Sequence, residues 1–295
     1  MALWAVRMVL PPCGLGEFEA PIPALQPFDA PTMRLTLYFI FGGLGAGCIT
    51  AAYCLSLIGG ILTGDLIFPY LTGGAILAVG LAWVWAPLNP RLRTVDLLIR
   101  PTPSWLAYET YAAVALFLAL ATVAKVAAPA VELLVVLTAL TFMVCQANVA
   151  HASKSRAAWR APQIPSLLVI TALAAGTGMI GLLSAIMPPI IRGGLFAPVV
   201  GLILAGMGAY RWREYVRRQD STIEKHVARV STPIYVTVYA VPAALYLAAL
   251  LPWPGQDWML PAGGVAAIAG GSIWMHTVIA RLGHARAFNA SPVGI

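Results

Sequence analysis

Eight apolar runs, at roughly 35–62, 66–86, 106–128, 131–151, 166–186, 194–210, 233–251 and 259–280, constrain this chain more than any other feature. A run of about 20 apolar residues is long enough to cross a bilayer as a helix. Mean hydropathy is +0.84 over 295 residues, far above what a soluble domain of this size shows. The connections are mostly short, so no second, soluble domain fits between the runs. The expectation is an all-α polytopic membrane bundle of eight transmembrane helices over 35–281, with a Pro-rich segment at 1–34 and a tail at 282–295.

The N-terminal MALWAVRMVLPPCG lacks the long apolar core and small-residue cleavage site of a signal peptide. Six prolines between Pro11 and Pro31 predict an extended segment lying on a surface. Eight spans place both termini and the 2–3, 4–5 and 6–7 loops on one side. That side holds nearly all the Lys and Arg, among them Arg91, Arg93, Arg100, Arg156, Arg211 and Arg218, whereas Lys125 and Arg192 fall on the other. The imbalance predicts N-in and C-in topology in a bacterial or archaeal cytoplasmic membrane. A net charge of +7 is then a topology signal, and nucleic acid is not needed to explain it.

Few residues remain that could carry chemistry. Cys13, Cys48, Cys54 and Cys145 contain no CxxC and no cluster or zinc spacing, so no metal is expected on this chain. His276 lies within a span and His151 at the cytoplasmic end of another, but a haem b held by that pair is not expected. The run GGLGAG (42–47) fails the dinucleotide pattern, because Cys48 takes the third glycine position and no strand precedes it. Its small residues instead suit close packing of helices.

Glu109 is the sharpest candidate. With Ser104 as N-cap, it falls in the second turn of the third helix, stacked near Trp105 and Ala112. Favourable interaction with the helix dipole reaches about 2 kcal/mol, against about 3 kcal/mol for an acidic residue at mid-bilayer. These are comparable, so energetics leaves open both a structural group, with Arg93 or Arg100 as its candidate partner, and a proton-handling one. Gln146, Asn148 and His151 end the fourth span on the same side, and the two groups could form a cleft for a small lipophilic ligand. The rival reading is an interhelical hydrogen-bond set that locks the bundle. Glu132 and Asp257 read as interfacial, and RWREYVRRQDSTIEKHVAR (211–229) as a solvated helical loop able to meet an acidic partner or anionic lipid.

The segment PRLRTVDLLIRPTPSWLAYET (90–110) resembles the membrane-anchor subunits of the DMSO reductase type, especially the anchor-like subunit of phenylacetyl-CoA:acceptor oxidoreductases. Leu92 and Arg93 match that family's LR pair, Ser104 and Trp105 its SW pair, and Glu109 its glutamate. The glycine-rich first span and Cys145-Gln146-Ala147 are also similar. The family histidine falls on Pro87 or Ala86 here, and the arginine before the glutamate is Tyr108. The resemblance implies an anchor without a redox centre of its own that binds quinone or quinol (menaquinone or ubiquinone). It would hold a four-cluster ferredoxin-like iron–sulfur subunit, itself joined to a molybdenum or tungsten bis-pterin catalytic subunit. The quinone site would then involve Glu109, Arg93, Trp105, Tyr108, Gln146 and His151, with Glu109 as the proton-transferring group, and Arg91, Arg93 and Arg100 would face the partner.

The alternative is an eight-span transporter or lipid-handling protein. The sequence shows no inverted repeat and no matching pair of broken spans, and Pro188-Pro189 follows the fifth span without interrupting it.

Overall fold

The computed structural model describes residues 32–59, 66–85, 104–126, 128–152, 159, 161–186, 196–218, 221–252 and 256–282. Every regular element among them is helical: α1 (Thr32–Gly59), α2 (Ile67–Trp85), α3 (Trp105–Val123), α4 (Pro129–Ala152), α5 (Ile164–Ile186) and α6 (Phe196–Arg217). Next, α7 (Ser221–Ile234) runs through a π-helical turn (Tyr235–Ala240) into α8 (Val241–Leu250). Last comes α9 (Gln256–His276), extended by a second π-helical turn (Thr277–Leu282). Six stretches are long and apolar enough to cross a membrane, namely Met33–Ile58, Trp105–Val123, Pro129–Ala152, Ile164–Ile186, Val227–Leu250 and Trp258–Ala280. The apolar part of α2 is shorter, and α6 ends in a charged turn (Arg211, Arg213, Glu214, Arg217), which keeps both out of that set.

Helix ends follow local chemistry. Ser104 caps α3, its hydroxyl accepting from the Ala107 amide at 3.2 Å, which satisfies one of the amides that a helix start leaves free. Pro129 opens α4, where its missing N–H costs nothing. Threonines inside the spans return their hydroxyls to their own helix: Thr50 to Ala46 O, Thr110 to Leu106 O and Thr177 to Leu173 O, each at 2.9 Å. This is the usual way to carry a hydroxyl through apolar surroundings. Leu118, Ile203 and Leu247 stay exposed on the outer faces, as a lipid-solvated surface permits.

The glycine run places α1 at the centre, packed most extensively on α2 and α5. A Cβ on Gly45 would strike the Gly73 carbonyl, and one on Gly73 would sit 2.7 Å from the Gly45 carbonyl, so α1 and α2 meet backbone to backbone. Gly47 stands in the same relation to Ala172 and Gly176 of α5. The helix-packing reading of GGLGAG therefore holds.

Three expectations change. The sixth helix continues to Arg217 instead of ending near 210, and the chain is helical again from Ser221, so the seventh element begins a dozen residues before 233. The charged run is not simply solvated: Trp212, Tyr215 and Val227 are fully buried. Trp212 stacks on Tyr215 (5.1 Å between centroids) and meets Trp274 edge-on at 6.3 Å, while Glu214 pairs outward with Arg211 and Arg218. Glu132, in the first turn of α4, is 3% exposed and within electrostatic range of Tyr70 of α2.

Candidate functional site

Glu109 emerges from the second turn of α3 into the bundle, on a buried stripe with Ala112, Ala113 and Leu116. It is 2% exposed, and neither carboxyl oxygen has a hydrogen-bond partner among the described residues. Cys145, buried on the facing α4, lies within electrostatic range of it. Glu109 thus breaks the pattern set by the threonines, each of which finds a carbonyl one turn back along its own helix.

The next residue of α4 turns toward α1, because consecutive side chains on a helix point about 100° apart. Gln146 is buried and donates its amide N–H to the Tyr38 carbonyl at 3.2 Å. Gly42 makes the room, since a Cβ there would overlap the Gln146 side chain. Gln146 therefore ties α4 to α1 one position away from the side chain that approaches Glu109. Interhelical hydrogen bonds of this kind average about 0.6 kcal/mol in membrane bundles. Gln146→Met is expected to lower stability by about that amount. Thermal unfolding in detergent checks it, and a loss several times larger would mean that the amide carries more than this one bond.

The other sequence candidates take separate places. Trp105 is partly buried and Tyr108 is 49% exposed, their rings edge-on at 6.1 Å on the outer side of α3. Asn148 donates to the Val144 carbonyl of its own helix at 2.7 Å. His151 sets Nδ1 3.0 Å from the Trp159 carbonyl, and the Trp159 indole donates to Val278 O at 3.1 Å, so this corner is fastened to the last helix. His276 borders a cleft of about 340 Å³ between the first turns of α1 and the last turns of α9, walled by Leu37, Ile40 and Ile273. Arg91, Arg93 and Arg100, the Pro87/Ala86 position and Cys13 lie outside the described residues, as does the side chain of Asp257.

The structure thus sets Glu109 within electrostatic range of Cys145, and joins Gln146 to Tyr38 by a hydrogen bond. It puts the start of α1, the start of α3 and the end of α4 at one end of the bundle. Sequence reasoning missed the Cys145 neighbour and the Trp159 link. Trp159 stands among Lys154, Arg156 and Arg160, where an isolated aromatic residue was the available signal. No protein-family model matches this chain, and it has no match among curated proteins.

Proposed function

We propose that this chain is the integral-membrane, quinone-reacting subunit of an oxidoreductase complex, with Glu109 as the group that exchanges protons with the quinone. The observation that carries this reading is the buried, unpartnered carboxyl of Glu109 in a membrane helix. Ionised without a partner, a buried carboxylate costs several kcal/mol even after relaxation. As the neutral acid it still leaves an O–H without an acceptor, at about 1–3 kcal/mol. In either state it burdens the fold, which is the mark of an intramembrane acid kept for its chemistry.

Oxidation of a quinol releases two electrons and two protons. The electrons leave to a partner's redox centre, and the protons need a base within hydrogen-bond reach of the ring oxygens. Glu109 supplies that base, and in the reverse direction the same carboxyl returns a proton to a quinone. The lipid-side rings of Trp105 and Tyr108 form the apolar approach, and Gln146 holds α4 in register beside it.

The bundle in this reading has eight spans, with α2 and α6 completing the set and α7 through α8 counted as one. The end bearing Glu109, Gln146 and His151 is cytoplasmic, as the positive-inside rule requires. Arg91, Arg93 and Arg100 dock an iron–sulfur subunit there, and a molybdenum or tungsten bis-pterin subunit completes the complex. A transporter or lipid-handling role is the competing reading.

Isolation from native membranes in mild detergent tests the assembly. Affinity-tagged chain is expected to bring down subunits carrying iron together with molybdenum or tungsten, and the isolate to oxidise or reduce a soluble quinone analogue. A chain that elutes alone, with no metal-bearing companion at low or high salt, sinks the proposal.

A further inference from the structure

The outer face of α6 carries charges that the packing of the bundle does not use. Its buried face runs Gly201, Ala205, Gly208, Trp212 and Tyr215. At about 100° per residue the opposite face holds Val199, Ile203, Gly206, Tyr210, Arg213 and Arg217, and all six are exposed. Nothing stands within 4 Å of a Cβ built on Gly206, so no described element covers the strip there. Read along the helix, the strip has the order of a lipid leaflet. Branched apolar side chains and an open glycine come first, then a tyrosine that is 68% exposed, then two arginines one turn apart. Tyrosines gather at headgroup level, and arginine stems lie along apolar surface while their heads reach beyond it.

The four arginines at this end of α6 are not equivalent. On one flank of the strip, Glu214 pairs with Arg211 at 2.9 Å and with Arg218 at 2.8 Å. Arg213 and Arg217 have no ion pair among the described residues. Tyr235, from the π-helical turn, lies on the other flank, within electrostatic range of both. Its hydroxyl donates to the Ala209 carbonyl at 3.4 Å, which fixes the level of the two helices against each other. Arg213 and Arg217 then stand about 6 and about 12 Å further along the α6 axis than Ala209. Counted back from Tyr235 on the neighbouring element, the same rise ends at Val227, where the apolar stretch Val227–Leu250 begins. The two unpaired arginines therefore emerge at the membrane boundary.

We infer that this face of α6 binds anionic phospholipid in the leaflet at this end of the bundle. Arg213 and Arg217 take the headgroup charge, and the acyl chains lie over Tyr210, Gly206 and Ile203. Charge complementarity selects the occupant. Arginine makes paired N–H···O bonds to phosphate oxygens, and a zwitterionic headgroup brings no net charge to offset two free cations. An acidic protein surface would satisfy the guanidinium groups but not the apolar strip continuous with them. The site is independent of Glu109 and of quinone chemistry.

The test uses the full-length chain in mild detergent, titrated with phosphatidylglycerol or phosphatidylcholine, with retained lipid read by native mass spectrometry. Wild type is expected to prefer phosphatidylglycerol, and the preference to fall as salt rises. Each basic residue near a membrane surface is worth about fivefold in affinity for anionic lipid, so Arg213→Gln with Arg217→Gln should cost roughly 25-fold against phosphatidylglycerol. Phosphatidylcholine retention should hardly change. Arg211→Gln with Arg218→Gln removes the same charge from the paired flank and should cost much less. Equal retention of the two lipids by wild type, or equal losses in the two double variants, overturns the inference. So does wild-type lipid retention by Arg213→Gln with Arg217→Gln, including where that variant has instead lost an acidic protein partner.

Discussion

Glu109→Gln is expected to leave the complex assembled and to cut quinone-coupled turnover by roughly 10²–10⁴-fold, the usual range for removing a positioned acid or base. The substitution keeps the volume of a side chain that is 2% exposed, so it opens no cavity beside Ala112 and Leu116. It removes the titrating proton and leaves neutral hydrogen-bonding groups. Turnover with an artificial soluble donor or acceptor bypasses the membrane step and should stay near wild type. The decisive quantity is the ratio of quinone-coupled to artificial-partner activity, each normalised to assembled complex. A structural glutamate gives the opposite result: lower membrane abundance, because a buried group has been altered, with the ratio unchanged. That outcome would remove Glu109 from the chemistry and leave the transporter or lipid-handling reading standing.

Gly47→Leu is expected to abolish accumulation of the folded protein. The Gly47 face of α1 lies against the Ala172 carbonyl and Gly176, and a Cβ on Gly176 would in turn overlap the backbone at Gly47 and Cys48. Backbone meets backbone there, so no side chain can rotate aside. Overpacking a core commonly costs about 1–3 kcal/mol where neighbours can yield; the clash here is with backbone, so even Gly47→Ala is expected to reach at least the top of that range. Leucine exceeds it, against a total stability of roughly 5–15 kcal/mol. Gly206 is the internal control. Nothing lies within 4 Å of a Cβ built there, so Gly206→Ala should be neutral or raise stability by up to about 1 kcal/mol through helix propensity. Membrane abundance and thermal unfolding in detergent read both. Wild-type behaviour of Gly47→Leu would mean that α1 and α5 do not touch at this point.

Hydropathy made the helical membrane character readable, because lipid leaves the backbone little alternative to satisfying itself. The GGLGAG run announced a crowded helix, and Ser104 announced the start of α3, where the cap is found. What the charged stretch after 210 concealed was a matter of averaging. Arg211, Arg213, Glu214, Arg217 and Arg218 dominate any window, yet Gly201, Ala205, Gly208, Trp212 and Tyr215 recur at alternating steps of four, three, four and three. All five are buried, and following that period past the first arginine would have extended the helix. The π-helical turns had weaker signals, Pro233 and Pro242 flanking the first, since a single extra residue in a turn leaves no periodic trace. The surroundings of Glu109 were the least legible. Its position in the second turn followed from the cap, but its approach to Cys145 depends on how α3 and α4 rotate against each other, which no local pattern encodes.

The bond from the Trp159 indole to Val278 O joins residues 119 positions apart. Residue 159 leaves the ribosome long before residue 278, so this clasp cannot close while the chain is being made. The end of the fourth helix, with His151 held on the Trp159 carbonyl, therefore reaches its final shape only after the last helix has been inserted. A partner that recognises this corner would meet it complete only once the last helix is in place. Chains stalled or truncated before the ninth helix would insert their earlier spans and still offer no finished landing place. In the proposed assembly, the clasp would delay the docking of a partner at this corner until the last helix is in place.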